Sequence, residues 1–178
     1  EQVSVSWVAP DDDGGSAVTG YTVTADPGGA TCTTASTSCD VTGLTNGTAY
    51  TFTVVATNAA GDSTASSASD AVTPTTVPDV PTSVSGTVDD EQVTVSWTAP
   101  GDDGGSAITG YTVTADPGGG TCTTASTSCT VTGLTNGTAY TFTVIATNAL
   151  GDSTASSAST AVTPATVPSA VTVVAGPV

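Results

Sequence analysis

The chain of 178 residues contains no lysine, arginine, histidine or methionine, and its 16 acidic residues give it a formal net charge of −16. Without cationic side chains it has no means of neutralising phosphates, so we expect no nucleic-acid partner. The lack of His and Lys removes the commonest general bases and the amine that forms Schiff bases, so we do not expect an enzyme. Zinc sites that need an imidazole ligand are excluded as well.

Long apolar runs and aromatic residues are also scarce. No run approaches the roughly 18 apolar residues that a membrane helix needs, so we expect no membrane insertion. Aromatic residues make up only 4% of the chain. They fall at strand positions of the core type, namely Trp7, Tyr21, Tyr50, Phe52, Trp97, Tyr111, Tyr140 and Phe142. Because stacking on bases or sugars needs exposed rings, this placement predicts an inert surface.

The four cysteines form two pairs with the same spacing, Cys32 with Cys39 and Cys122 with Cys129. An even number of cysteines in a chain rich in Ser and Thr favours disulfides and an oxidising compartment, which is extracellular or at the cell surface. The alternative is a four-thiolate zinc site shared between the pairs, although the spacing differs from that of a zinc knuckle.

The sequence repeats with a period of 90 residues: between 1–77 and 91–167, 67 of 77 positions are identical. This period is too long for a solenoid unit and suits independent domains with separate cores. Within each repeat apolar and small polar residues alternate, as in Val3, Val5 and Trp7, which predicts half-buried antiparallel strands. About seven short strands separated by turn signals predict an all-β fold in which β-sandwiches follow one another head to tail.

Several spaced motifs in each repeat resemble the fibronectin type III family. In the first repeat they are Val5-Ser6-Trp7, Ala9-Pro10, Asp13-Gly14-Gly15, Thr19-Gly20-Tyr21, the run from Gly43 to Tyr50, and Phe52-Val54-Ala56-Asn58, and the second repeat has the same order from Val95 to Asn148. The resemblance covers nearly the whole chain and implies tandem immunoglobulin-like sandwiches of the bacterial, disulfide-containing type.

The resemblance also implies roles for single residues. The tryptophans would pack in the core, and Leu44 with Tyr50 and Leu134 with Tyr140 would form a tyrosine corner. The paired cysteines depart from the common pattern of the family. They would lie in a hairpin between strands C′ and E.

The ends of the chain are out of register with this family. The resemblance implies a domain in 1–77 that lacks its own strand A, a complete domain in 78–167, and strand A of a following domain in 168–178. The simpler interpretation of this segment is the edge of a window cut from a longer array. The alternative is a donor strand that completes the first domain of the next subunit. The contact residues would then be Ala170, Val171, Val173, Val174 and Val178. Both interpretations predict that the partners are copies of this chain or neighbouring repeats, head to tail.

Two acidic turns are candidate calcium sites, and calcium is the only cofactor that the sequence suggests. The first turn has Asp11, Asp12 and Asp13, and its copy has Asp102 and Asp103. Carboxylates are proper calcium ligands, but an Asp-Gly-Gly sequence also makes a good turn without metal.

Asn46 and Asn136 each begin a glycosylation sequon, although the same Asn-Gly pair also suits the corner turn. The sequence as a whole predicts a non-enzymatic structural module of an extracellular filament, sheath or stalk. The alternative is an adhesin, or an accessory or spacer region of a larger secreted carbohydrate enzyme.

Overall fold

The computed structural model describes residues 1–168 and 170–173, which form two compact units. One unit is built mainly from Glu1–Thr76 and the other from Val77 onward. Neighbouring strands are antiparallel throughout both units. Among the described residues no helix is long and apolar enough to span a membrane.

The first unit has six strands in two sheets. The strands are β1 (Gln2–Ser6), β2 (Gly20–Asp26), β3 (Thr31–Thr34), β4 (Ser38–Thr42), β5 (Thr51–Asn58) and β6 (Gly61–Asp62). One sheet has the order β3-β2-β5-β6, and the other consists of β1 and β4.

In its described residues the second unit has seven strands in two sheets. The strands are β7 (Thr82–Asp89), β8 (Gln92–Thr98), β9 (Gly110–Asp116), β10 (Thr121–Thr124), β11 (Ser128–Thr132), β12 (Thr141–Asn148) and β13 (Gly151–Asp152). One sheet has the order β10-β9-β12-β13 and the other β11-β8-β7. The predicted all-β, immunoglobulin-like sandwich fold is confirmed.

Alternation along the strands builds the cores. In β9 the side chains of Tyr111, Val113 and Ala115 are buried, whereas the threonines between them stay partly exposed. Threonine on the outer face keeps the strand soluble without lowering its preference for extended backbone. The core of the second unit contains Val93, Val95, Trp97, Tyr111, Val113, Ala115, Val131, Leu134, Tyr140, Phe142, Val144 and Ala146.

A tyrosine corner closes one end of each unit, as the family resemblance implies. The hydroxyl of Tyr50 accepts the backbone N–H of Thr45 at 3.0 Å, and the hydroxyl of Tyr140 accepts that of Thr135 at 3.0 Å. The neighbouring Leu44 is buried, with 4% of its surface exposed.

The disulfides Cys32–Cys39 and Cys122–Cys129 each connect two different sheets, with Cα atoms 6.4 and 6.2 Å apart. The prediction that the two strands carrying each cysteine pair form a hairpin is therefore wrong. The first strand, β3, pairs with β2, whereas β4 pairs with β1 on the opposite sheet. A covalent link at this position fastens the two layers of the sandwich to each other.

Candidate functional site

The two units differ most at the strand that opens each repeat. In the second unit β8 is hydrogen-bonded on both sides, to β11 and to β7. Its counterpart β1 pairs with β4 alone in the part of the chain that the structure describes. The outer edge of β1 therefore presents backbone groups that a further strand could pair with.

The open edge changes the environment of one aromatic residue. Seven of the eight rings are buried as the sequence predicts, but Trp7 is only half-buried, whereas its counterpart Trp97 is 6% exposed. Trp7 contacts the ring of Tyr21 edge-on, with centroids 5.3 Å apart. The prediction that all the rings would be hidden is wrong at Trp7, because burial at that position depends on a neighbouring strand.

A groove of about 330 Å³ lies beside this tryptophan. Its apolar floor comes from Trp7, Tyr21, Val54 and Ala56, and one wall comes from the segment that follows β6, including Ser66. Both the floor and the open edge belong to the first unit. The groove is therefore the natural candidate for an interaction site.

Sequence reasoning missed the residues that protect the other edge of each unit. After the two-residue strand β13 the chain continues along β12 through Ser153, Ser156 and Ser159, one serine in every three residues. Each serine N–H donates to a carbonyl of β12 at 2.8–2.9 Å, and each serine Oγ accepts an N–H from the same strand at 3.0–3.1 Å. We call this segment the serine ladder.

The first unit has the same arrangement. Ser63, Ser66 and Ser69 accept N–H groups of β5 through their Oγ atoms, each at 3.0 Å. The ladder takes the place of a regular strand and satisfies the edge backbone groups that could otherwise pair with other chains. The serine spacing of three was visible in the sequence, but serine there is equally typical of a solvated surface.

The acidic turns have a role without metal. The Oδ1 atom of Asp12 accepts the backbone N–H of Gly14 at 2.8 Å, and Oδ1 of Asp13 accepts that of Gly15 at 2.8 Å. Within the described residues no group of three or more Asp, Glu, Cys or His side chains could hold a metal ion. Calcium at Asp11, at these two aspartates or at the second turn remains a prediction.

The second acidic turn forms hydrogen bonds through its main chain. The carbonyl oxygen of Asp102 accepts the N–H of Asp79 at 3.0 Å, and that of Asp103 accepts Nδ2 of Asn148 at 2.9 Å. Both of these hydrogen bonds lie within the second unit.

The two sequon asparagines differ in their hydrogen bonds. Nδ2 of Asn136 donates to Asp90 at 2.7 Å, and its Oδ1 accepts the N–H of Glu91 at 3.0 Å, so this amide ties the β7–β8 turn to the corner. Oδ1 of Asn46 has no hydrogen-bond partner among the described residues. Glycosylation at either position remains a prediction.

The end of the described chain is apolar and exposed. Ala170 is exposed, and Val171 and Val173 are 90% and 89% exposed. Two other predicted contact residues, Val174 and Val178, lie outside the described residues. Nothing in the first or second unit covers the exposed valines that the structure describes.

Comparison with protein families matches the fibronectin type III domain to residues 1–72 and 79–162. Among curated proteins, the chain is 41% identical to Exoglucanase B of Cellulomonas fimi over 171 residues and 39% identical to Chitinase A1 of Niallia circulans over 165 residues. These matches cover 90% and 87% of this chain but only 15% and 22% of the relatives. The chain therefore spans less than a quarter of the length of these relatives.

Among solved structures, the FN1–FN3 domains of chicken CNTN1 match 92% of this chain and 62% of that chain. The TM-score is 0.54 and the sequence identity 21%, a likeness that shows the fold alone.

Proposed function

Because the chain belongs to the fibronectin type III family, we propose that it is a structural module of an extracellular filament, sheath or stalk, in which such modules follow one another head to tail. Domains of this family are generally non-catalytic. The observation that carries the proposal is the near-identity of the two repeats, at 67 of 77 positions, including the loops in which binding modules of this architecture place their specificity.

The chemistry of the surface supports a structural role. The chain has no Lys, Arg or His, and the aromatic rings that anchor most protein and sugar interfaces are buried except for Trp7. Without Lys or Arg the chain also offers no cleavage site to trypsin-like proteases, which suits a durable extracellular spacer.

An extracellular position or the cell surface is favoured by the two disulfides, since such bonds persist in oxidising compartments. The partners in this proposal are neighbouring repeats or further copies of the chain, with neither nucleic acid nor membrane insertion.

A second candidate function is favoured by the relatives. Two exoglucanases and a chitinase match the chain over only 15–22% of their own lengths, so the matched part of those proteins is a small region of a larger chain. By this analogy the chain would be an accessory or spacer region of a secreted carbohydrate enzyme, and an adhesin would use a similar arrangement.

Immunogold electron microscopy of native material tests the two candidates. With antibodies against this chain, we expect label along fibres, sheaths or stalks. Label confined to dispersed secreted enzyme would overturn the filament proposal and favour the spacer.

A sedimentation assay with insoluble cellulose and chitin gives an independent readout. A structural module stays in the supernatant with both polysaccharides. Saturable binding to either one would contradict the inert-surface argument and favour an adhesin or accessory region.

A further inference from the structure

Among the described residues the first unit has no counterpart of β7, which covers one side of the core in the second unit. In the second unit β7 pairs with β8 through Gly86↔Val95, Thr87↔Thr94 and Val88↔Val93. Val84 of β7 packs against the core, and Pro81, just before β7, is fully buried. No described strand occupies the same place beside β1.

The missing cover leaves apolar side chains of the first unit in contact with water. Val93, Val95, Val144 and Ala146 are 0% exposed in the second unit. Their counterparts are only half-buried, namely Val3, Val5, Val54 and Ala56. The exposure is therefore confined to the side of the core where β7 would lie. Burying this surface would stabilise any complex that supplies the missing strand.

The groove beside Trp7 lies next to the place where the start of such a strand would run. In the second unit the residues from Val80 to Val84 lie beside Ser157–Thr160, at the serine ladder. The counterparts of these ladder residues in the first unit are residues 67–70, and the open groove of about 330 Å³ lies directly before them along the ladder, at Ser63 and Ser66.

The strand that fills this place must carry a glycine at one position. A Cβ atom on Gly86 would lie 2.9 Å from Cγ1 of Val93 and 3.0 Å from Cγ2 of Val162, which is too close for any side chain. The counterparts of these two valines in the first unit are Val3 and Val72, and Val72 is 43% exposed. A strand laid over them requires glycine in the same register.

The C-terminal segment 168–178 aligns with the β7 segment 78–88, 90 residues earlier, and has a glycine at the required position. Five of its residues are identical to those of the β7 segment, namely Pro168, Thr172, Val174, Gly176 and Val178, which match Pro78, Thr82, Val84, Gly86 and Val88. The segment 168–178 contains no acidic residue in a chain of net charge −16, so it approaches an acidic neighbour without repulsion.

Two substitutions change how this segment would pair. Ser83 has a φ of 56° at an irregularity of β7. The tail has Val173 at this position, and a β-branched residue disfavours a positive φ. The tail would therefore pair without that irregularity. Pro177 stands in place of Thr87, so the tail offers one backbone N–H fewer at that position than β7 does.

We infer that residues 170–178 of a second copy of this chain add to the outer edge of β1 as a donor strand. Val174 then covers the exposed core, and Gly176 lies over Val3 and Val72. Val171 takes the place of Pro81. The contact joins the tail of one copy to the first unit of the next, so it extends head to tail without closing. The inference rests on the open edge and the tail sequence, and the proposed structural function stands independently of it.

The mass of the 178-residue chain in solution, measured by multi-angle light scattering over a range of concentrations, tests the inference. We expect oligomers that grow with concentration. Gly176→Val should weaken association by roughly tenfold or more, because the added side chain collides with the valines beneath it. Ala175→Ser is the matched control, since its counterpart Ser85 is exposed, and it should leave association unchanged.

A synthetic peptide with the sequence of residues 168–178 supplies a second readout. Added to the Gly176→Val chain, it should slow amide hydrogen exchange in β1, whereas the same peptide with valine at position 176 should not. A chain that stays monomeric, with no protection by the peptide, would overturn the inference. So would oligomers that Gly176→Val leaves intact, since another occupant, such as a strand preceding Glu1 in a longer protein, would then be indicated.

Discussion

Oγ of Ser156 accepts the backbone N–H of Val144 at 3.0 Å, while the N–H of Ser156 donates to the carbonyl oxygen of the same valine at 2.9 Å. One serine thus satisfies both backbone groups of one strand residue. Its hydroxyl also donates to the carbonyl oxygen of Ser157 at 2.9 Å. Three residues of the ladder advance along two residues of β12, so a serine recurs at each inward-facing strand position.

Replacing Ser156 with alanine should leave the buried N–H of Val144 without an acceptor. We expect the free energy of unfolding of the second unit to fall by about 1–3 kcal/mol, the usual effect of an unsatisfied buried group. Urea denaturation monitored by tryptophan fluorescence measures the change.

Two matched variants locate the cause. Ser157→Ala, at an exposed position, should change stability by no more than about 0.5 kcal/mol. Ser66→Ala removes the equivalent bond of the first unit, which is exposed, so water replaces it and the loss should be smaller. Equal losses for all three would show that the ladder bonds do not hold the edge.

Removing the hydroxyl of Tyr140 should weaken the corner of the second unit. Tyr140→Phe leaves the part-buried N–H of Thr135 without its acceptor, at a cost of about 1 kcal/mol. Tyr111→Phe is the control, because no described residue hydrogen-bonds the hydroxyl of Tyr111. A control variant that is destabilised as much as Tyr140→Phe would argue against the corner bond as the cause.

The strands and cores could be predicted because strict alternation has only one common structural meaning. Tyr21, Val23 and Ala25 alternate with threonines in the sequence and are buried in β2. The cysteine pairing was also accessible from spacing. The spacing could not show that each bond joins two different sheets. Strands that follow each other in the sequence can pair with each other or lie in opposite layers.

The exposure of side chains at the open edge could not be predicted in detail, because it depends on whether a neighbouring strand covers them. Trp7 and Trp97 occupy similar local sequences, which differ next to the ring in Val8 against Thr98, yet only Trp97 is buried, since β7 pairs beside it. Likewise the Ser-x-x-Ser pattern contains no hydrophobic periodicity from which a strand or a helix could be predicted. Only the positions of the Val144 backbone and its neighbours show that these serines are hydrogen-bonding partners rather than solvated side chains.

Acid should weaken the β7–β8 turn through Asp89. The backbone N–H of Asp90, and then the side chain of Gln92, hold the pKa of Asp89 below its ordinary value of 3.8. A lowered folded-state pKa gives stability that is complete above the unfolded value and is lost as the pH falls through the folded value. Between pH 5 and 2 the wild type should therefore lose more stability than Asp89→Asn.

The comparison with Asp89→Asn is needed because the chain carries 15 other carboxylic side chains. Chemical denaturation at several pH values, with both proteins at the same ionic strength, gives the two curves. Parallel curves would show that the hydrogen bonds to Asp89 contribute nothing to folding.

Removing a disulfide should lower the stability of the unit that contains it. Cys122 and Cys129 are seven residues apart, and closing so short a loop stabilises the folded state by about 2.5 kcal/mol in the chain-entropy treatment. We expect the double variant Cys122→Ser with Cys129→Ser to unfold at lower urea while remaining folded in buffer, because its core is otherwise complete. The same change at Cys32 and Cys39 is the matched comparison, and no shift in either midpoint would contradict the role of the bonds.

Calcium should bind the acidic turns weakly. Asp12 and Asp13 each have one oxygen engaged by a backbone N–H of their own turn, so a cation there would take most of its six to eight ligands from water. We expect a Kd of roughly 10⁻³ M, at the weak end for extracellular modules. Position 101 is glycine where the first turn has Asp11, so Asp11→Gly makes the two turns alike and should weaken binding at the first. Calorimetric titration of both proteins measures the effect. A Kd below about 10⁻⁵ M, in the range of calcium sensors, would show that the turns reorganise around the ion.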